Sequence, residues 1–179
     1  MVSLPEAKDR VPIPDGVTVK ISGRTVTVKG PKGELSRTFP TPRVELRQED
    51  KAILVHCDLP RSREKAAVGA ISSHLRNLIH GVESGYEYKL KAVFAHFPLK
   101  LNVKGSEFVI ENFLGERSSR KARILPGVKV DPKAEFITVT GIDLEKVSQT
   151  AANIERATKV RNRDIRVFQD GLYIIQKAE

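Results

Sequence analysis

The amino-acid sequence predicts an α+β fold built as a tandem duplication, in which each copy packs an antiparallel sheet against one helix. Short segments alternate apolar and polar residues and are separated by glycine-containing turns, which is typical of antiparallel strands. Two longer segments instead repeat apolar residues at three- and four-residue steps, which indicates a helix with one buried face. Because the order of several strands followed by one helix occurs twice, the sequence predicts two copies of one unit.

The first copy contains five predicted strands, at residues 17–21, 25–29, 34–39, 44–46 and 52–57. Its helix follows Pro60 and is expected to end near Gly81 and Gly85. Six apolar residues form the buried face of that helix, namely Val68, Ile71, Leu75, Leu78, Ile79 and Val82. Prolines near the N-terminus predict an extended arm. We assign residues 1–10 to the arm, residues 11–91 to the first repeat and residues 92–179 to the second.

The second copy repeats the pattern of the first. Residues 103–111 resemble residues 21–29 in their alternation, after a strand at residues 87–93 near the boundary. A second helix is expected to begin after an N-cap at Asp143. Its inner seam comprises Leu144, Val147, Ala151, Ile154 and Thr158. The chain is then predicted to close with a short hairpin, residues 167–168 pairing with residues 172–175 around a turn at Asp170.

The charge of the chain indicates an anionic partner. Thirty-one Lys and Arg residues against 22 Asp and Glu residues give a formal net charge of +9. A surplus of this size usually indicates an anionic partner, most often nucleic acid. Two clusters in the second copy hold most of it. The loop at residues 112–123 contributes Arg117, Arg120, Lys121 and Arg123, and the C-terminal edge contributes Arg156, Lys159, Arg161, Arg163 and Arg166. In the first copy, Lys29 and Lys32 are weaker candidates for RNA phosphates.

No base-reading motif is visible, so recognition of RNA by its phosphates and shape is the expected mode. Among the aromatic residues, Phe113 in the basic loop is the candidate for base stacking. Phe108, Phe168 and Tyr173 are expected to belong to the core. We therefore expect the second copy to make the main contact and the first copy to brace it.

Catalytic and metal-binding patterns are weak. The single cysteine, Cys57, follows His56 in a predicted strand and is interpreted as a small core residue. His74 and His80 are six residues apart on a helix and do not share a face. No phosphate-binding glycine loop is present, and no apolar run reaches the roughly 18 residues that cross a bilayer. We expect no metal, cofactor, small-molecule substrate or membrane partner, and a cytoplasmic location.

The end of the chain carries a family resemblance. The run from Arg163 to Ile174, with Gln149 upstream, resembles the closing motif of ribosomal protein six of the large subunit in its archaeal and eukaryotic branch. The Pro-Glu-Pro-Tyr-Lys-Gly-Lys-Gly pattern of the bacterial branch is absent. Three further segments support the resemblance, at residues 26–33, 112–116 and 139–143. It covers nearly the whole chain, and we favour the archaeal side of the branch.

The resemblance implies a structural, non-enzymatic constituent of the large ribosomal subunit. Family members bind large-subunit ribosomal RNA near the base of the lateral stalk, beside neighbouring ribosomal proteins and close to where translational GTPases act. RNA contact is carried over to Arg161, Arg163 and Arg166, which fall within the closing motif. Two alternatives stay open. An RNA-processing or RNA-modifying enzyme requires a cleft of convergent ionisable groups, and a module that binds translation factors requires an exposed apolar patch around Phe94, Phe97 and Leu99.

Overall fold

A computed structural model describes residues 6–94 and 97–178 of the chain. The chain forms two compact units, residues 1–84 and residues 85–179. Each unit contains one long helix and antiparallel strands, so the predicted α+β class and duplication are confirmed. The predicted boundary lies after residue 91, whereas the compact units meet between Ser84 and Gly85.

The described residues of the first unit, 6–84, form six strands and a helix. Their bounds are β1 Glu6–Pro12, β2 Thr18–Ser22, β3 Thr25–Gly30, β4 Gly33–Thr38, β5 Glu45–Glu49, β6 Ala52–Asp58 and α1 Ser62–Glu83. One antiparallel sheet has the order β1-β6-β5 and the other has the order β2-β3-β4. The described part of the predicted N-terminal arm is extended, but it pairs with β6 along its whole length, from Glu6 opposite Asp58 to Pro12 opposite Ala52.

Helix α1 packs its predicted apolar face against the core of the first unit. All six predicted residues of that face are buried, and Leu75 and Val82 are fully inaccessible. The helix continues through Gly81 and ends at Glu83, between the two predicted glycines, and Gly85 follows with a left-handed φ of 72°. Gly30 allows the turn between β3 and β4 to approach the helix end, since an added Cβ would lie 2.8 Å from the carbonyl oxygen of Val82. Cys57 is buried, as predicted.

In the second unit, residues 85–94 and 97–178 form seven strands, a helix and a short 3-10 turn. Their bounds are β7 Tyr86–Val93, β8 Lys100–Lys104, β9 Glu107–Glu111, the 3-10 turn Phe113–Gly115, β10 Arg120–Arg123, β11 Val128–Lys133, β12 Phe136–Gly141, α2 Leu144–Ala157 and β13 Gly171–Gln176. The two sheets have the orders β10-β9-β8 and β11-β12-β7-β13. Strand β7 is central because it pairs with both β12 and β13, which places it inside this unit.

The predicted hairpin at the C-terminus is wrong. Residues 167–168 lie in a turn, in which the amides of Val167 and Phe168 donate to the carbonyl of Asp164 at 3.1 and 2.9 Å. Strand β13 pairs antiparallel with β7 instead, with Gly171 opposite Val93. The position of β13 is therefore fixed by β7, a segment almost eighty residues earlier in the chain. Strand β13 is an edge strand of the sheet, and the alternation of residues within it does not identify its partner.

Helix α2 begins at the predicted N-cap. The Asp143 carboxylate accepts a hydrogen bond from the amide of Glu145 at 3.0 Å. We expect Asp143→Ala to lower the free energy of unfolding by about 1 kcal/mol, because the amide loses its acceptor and the helix end loses a favourable negative charge. Denaturant unfolding measures the change. Asp143→Asn is the control, since its side-chain oxygen still caps the helix, and an equal loss from both variants would contradict a capping role.

Candidate nucleic-acid interface

The C-terminal end of α2 is anchored by Thr158. Its buried hydroxyl donates to the carbonyl of Glu155 at 3.0 Å and accepts from the amide of Leu172 at 2.9 Å. These bonds tie the helix end to the first residues of β13. The side chains of Arg156 and Lys159 are both exposed and leave the helix from this fixed point. Cations are favoured there because the last carbonyls of a helix carry partial negative charge.

The basic loop is fixed by its aromatic residue. Phe113 is fully buried and belongs to the core of the second unit, so the expectation that it stacks on a base is wrong. Asn112 and Leu114 on either side adopt left-handed backbone conformations, with φ of 62° and 51°. The side-chain Nδ2 of Asn112 also donates to the carbonyl of Pro98 at 3.1 Å. The cations that follow this loop therefore start from a defined backbone.

Arg120 joins the loop to the helix end. Its Nη1 donates to the carbonyls of Ala157 and Lys159, each at 3.0 Å. Its Nε and Nη2 donate to the two carboxylate oxygens of Glu116 at 2.8 and 2.6 Å. The guanidinium also lies 4.3 Å from the ring centroid of Phe113. Because these bonds engage its donors within the chain, Arg120 acts as a clamp between β10 and α2. Its charge alone had predicted a contact with an RNA phosphate instead.

The two basic clusters meet in one surface cavity, called here the basic cleft. It has a volume of about 340 Å³ and is lined by Arg120, Lys121, Arg156, Ala157, Lys159 and Arg161. These cations lie in two segments more than thirty residues apart in the sequence, and the packing of β10 against α2 brings them together. None of the lining residues is acidic in the part of the chain that the structure describes. Such a cleft suits a phosphate oxygen better than a neutral ligand.

Five of the predicted RNA-binding side chains keep their charge uncompensated. Within residues 6–94 and 97–178, no acidic partner pairs with Arg117, Arg123, Arg156, Lys159 or Arg161. The other predicted RNA-binding cations of the second unit have partners among the described residues. Lys121 pairs with Glu107 at 2.9 Å, and the Arg163 guanidinium lies 4.8 Å from the ring centroid of Phe168.

Arg166 has a carboxylate partner of its own. It donates to both oxygens of Asp164, at 3.1 and 2.9 Å, and hydrogen bonds from its side chain and its amide lower the pKa of Asp164. The pair is exposed, so water and salt screen it and an anionic ligand can replace it at modest cost.

The two lysines of the first unit differ from each other. The side chain of Lys32 donates to the carbonyl of Ser84, and its amide donates to the carbonyl of Val82 at 2.9 Å. Lys32 therefore fastens the turn between β3 and β4 to the end of α1. Lys29 is exposed in β3. Both belong to the first unit, whereas the basic cleft belongs wholly to the second.

Glu116 is the acidic residue most closely coupled to this region. Hydrogen bonds from Arg120 lower its pKa, and the charges of Arg120 and Arg163 act in the same direction, against a smaller opposing effect of burial. A carboxylate whose pKa is lowered by folding stabilises the fold above its unfolded pKa, close to 4.5, and loses that contribution as the pH falls through the folded value.

We expect Glu116→Gln to be less stable than the unsubstituted chain at neutral pH, because a neutral amide binds Arg120 more weakly. The two unfolding free energies should converge as the pH is lowered from 5 towards 3, since acid protonates Glu116. Urea unfolding across this range measures the gap. Glu135→Gln removes an exposed carboxylate from the same unit and serves as the control. A gap that stays constant down to pH 3 would show that the charge of Glu116 is not responsible.

The described residues offer little for catalysis. No group of three or more His, Cys, Asp and Glu residues is arranged to hold a metal ion among them. His56 lies 3.4 Å from both Glu6 and Asp58 on the surface of β6, whereas His74 lies beside Phe39. His96 falls outside the described residues. The histidines that are described thus sit in separate places, without the convergent cleft that the enzyme alternative requires.

The three apolar residues that an interaction module requires differ in their exposure. Phe94 and Phe97 each expose about two fifths of their surface, but Leu99 packs against the core. Residues 95 and 96 between the two rings lie outside the described residues. Neither helix in the described part of the chain has the length and hydropathy needed to cross a membrane.

Comparison with known proteins decides the family. The family model described as ribosomal protein L6 matches the chain twice, over residues 13–85 and 97–171. The chain belongs to the ribosomal protein L6 family. The large ribosomal subunit protein uL6 of Aeropyrum pernix is 52% identical over 170 residues, which cover 94% of this chain and 93% of the relative. The uL6 proteins of Methanothrix thermoacetophila and Methanobrevibacter smithii are 47% and 45% identical, over 96% and 99% of this chain and 98% and 99% of their own lengths.

These matches confirm three predictions from sequence. The resemblance to ribosomal protein six is correct, and relatives from archaea support the archaeal branch. The two matched segments correspond to the two copies of the duplicated unit. As a member of the L6 family, the chain is a ribosomal protein and not an enzyme. Which residues of an L6 chain touch RNA is a separate question, for which the basic cleft supplies a structural hypothesis.

Proposed function

We propose that this L6-family chain is a structural constituent of the large ribosomal subunit and docks on large-subunit ribosomal RNA through the basic cleft. The observation that carries the proposal is the convergence of the two basic clusters on one cleft without an acidic lining residue. Three of its cations, Arg156, Lys159 and Arg161, have no acidic partner among the described residues. Their charge is thus available to phosphate oxygens.

The remaining predicted RNA-binding residues extend this surface. Arg117 and Arg123 flank Arg120 on the loop and on β10, and both are exposed. Arg163 and Arg166 follow Arg161 in the closing motif that carries the family resemblance. Lys121 lines the cleft itself. Arg120 contributes by holding the loop and the helix end in place, and Lys29 and Lys32 make a weaker, separate contribution from the first unit.

The place that the family resemblance implies completes the proposal. We place the chain in the cytoplasmic ribosome, at the base of the lateral stalk of the large subunit, among neighbouring ribosomal proteins and close to where translational GTPases bind. The chain acts there by stabilising RNA structure, with no cofactor of its own. A docked chain of this kind needs phosphate contacts, a rigid backbone and shape complementarity; the unpaired cations of the basic cleft and the hydrogen bonds of Arg120 and Thr158 support the first two.

Binding to RNA fragments tests the proposal. The purified chain is titrated with fragments of large-subunit ribosomal RNA and, at matched concentration, with transfer RNA, across a salt series. We expect one fragment to bind much more tightly than transfer RNA, with an affinity that falls steeply with salt because several phosphates release counterions. Equal and weak binding to every RNA would mean that the positive charge is generic, and the proposal would fail.

A further inference from the structure

A second, apolar cavity adjoins the basic cleft. It has a volume of about 400 Å³ and lies between the end of α2 and the start of β13. Its apolar walls are formed by Val160, Ile165, Phe168, Leu172 and the ring of Tyr173. Arg156 and Lys159 line both this cavity and the basic cleft. A ligand whose anionic group lies in the cleft can therefore place an adjoining apolar group in the cavity.

Tyr173 is held in position at this cavity. Its hydroxyl donates to the carbonyl of Gln169 at 3.0 Å. Its ring lies so close to Gly171 that an added Cβ there would be 3.2 Å from the ring atoms Cε2 and Cζ. The side chain of Tyr173 is nevertheless 44% exposed, and Ile165 is 68% exposed. The cavity thus presents a fixed aromatic ring and an aliphatic side chain to solvent beside a strongly cationic surface, which marks a binding surface.

We infer that this cavity receives one unpaired nucleobase of the RNA whose phosphates occupy the basic cleft. The inference rests on the proposed function and adds to it a site for a base. A nucleotide joins an anionic phosphate to a flat, largely apolar ring, which is the combination that the two adjoining cavities accommodate. Bases splayed out of RNA stack on aromatic side chains in just this way, and the contact tolerates different sequences because every base has a π-face.

Glu155 favours a base over an acidic peptide, which is the other polyanion that the cationic rim would attract. Its side chain lines the cavity, and its Oε1 accepts a hydrogen bond from the amide of Ile174 at 3.2 Å. A carboxylate in the wall repels a second carboxylate, but it accepts hydrogen bonds from the amino group of a base. The negative charge is thus compatible with a base in the cavity and a phosphate outside it.

A pair of short RNAs tests the inference with the full chain. One carries a single central 2-aminopurine flanked only by abasic sugars, and its twin of equal length is abasic at every position. Fluorescence anisotropy with an end label gives both affinities. We expect the 2-aminopurine RNA to bind about tenfold more tightly than its twin, because stacking on Tyr173 adds to the phosphate contacts. The emission of the 2-aminopurine should fall on binding.

Substitutions at the ring locate the effect. Tyr173→Ala should remove both the tenfold preference and the quenching, whereas Tyr173→Phe should keep them, because the flat ring remains. Phe136→Ala is the matched control, since Phe136 is a similarly exposed aromatic residue that does not line the cavity. Circular dichroism verifies that each variant is folded before its affinities are compared.

Three results would overturn the inference. If both RNAs bind equally with strong salt dependence, the basic cleft binds phosphate but the cavity holds no base, and the proposed function survives. If neither RNA nor any ribosomal RNA fragment binds, the proposed function fails as well. If a short acidic peptide with one aromatic residue displaces the 2-aminopurine RNA and binds more tightly, the cavity belongs to a protein partner.

Discussion

Reversing the charges of Arg156, Lys159 and Arg161 together is expected to lower the affinity for the selected ribosomal RNA fragment roughly 100-fold at moderate salt. Each of these side chains lines the basic cleft, and none has an acidic partner among the described residues. Replacing them by Glu removes three phosphate contacts and adds repulsion. The slope of log affinity against log salt should fall in magnitude by about two to three, since fewer counterions are released. Titrations in a salt series measure both quantities.

A control with the same change in net charge separates the cleft from generic attraction. Lys20, Lys100 and Lys129 are exposed lysines outside the basic cleft, and their joint reversal alters the charge of the chain equally. We expect this control to weaken binding far less and to leave the salt slope nearly unchanged. Equal losses from the two triple variants would mean that only net charge matters, which contradicts a localised docking surface.

The second large effect is expected from Arg120→Met, which should lower the free energy of unfolding by about 3 kcal/mol. The substitution preserves apolar contact with Phe113, but it removes the bidentate bonds to Glu116 and the bonds to the carbonyls of Ala157 and Lys159. It also leaves a partly buried carboxylate without its cation. Denaturant unfolding measures the stability, and RNA titration at a temperature where the variant is folded measures the consequence for binding.

Arg120→Lys distinguishes the clamp from a simple cation. Lysine keeps the charge, but it cannot donate to a carboxylate and two carbonyls with the planar fork of arginine. We therefore expect Arg120→Lys to lose most of the same stability and to bind RNA more weakly than the unsubstituted chain. If the lysine variant retained full stability and full affinity, Arg120 would be an ordinary phosphate contact, as its sequence position alone predicted.

Local patterns in the sequence predicted the helices well. The face of α1 was readable because a helix buries every third or fourth residue, and Val68 through Val82 follow this period without interruption. The cap of α2 was readable because Asp143 acts on the amide only two residues later. The two basic clusters were visible as runs of charge. In each case the physical cause lies within a few residues of its effect.

Features that depend on distant segments were missed. Strand β13 pairs with β7, and the residue pattern within 167–175 does not indicate which strand is its partner. Phe113 was assigned to base stacking because it lies in the basic loop, but the fold buries it beneath Arg120. Tyr173 was assigned to the core, although it lines an open cavity, because a strand residue's exposure depends on what covers its face. The basic cleft was also missed, because it forms only when β10 packs against α2 in the tertiary structure.

Photocrosslinking within reconstituted large subunits tests whether the chain docks on ribosomal RNA through the basic cleft. A photoreactive amino acid is placed at Arg161 in one variant and at Lys146 in another. Both positions carry cations, but Lys146 lies ten residues before Arg156 on the same helix, about 15 Å from the basic cleft. We expect abundant adducts with large-subunit ribosomal RNA from position 161 and few from position 146. Adducts from position 146 in equal or greater yield, or none from position 161, would contradict docking through the basic cleft.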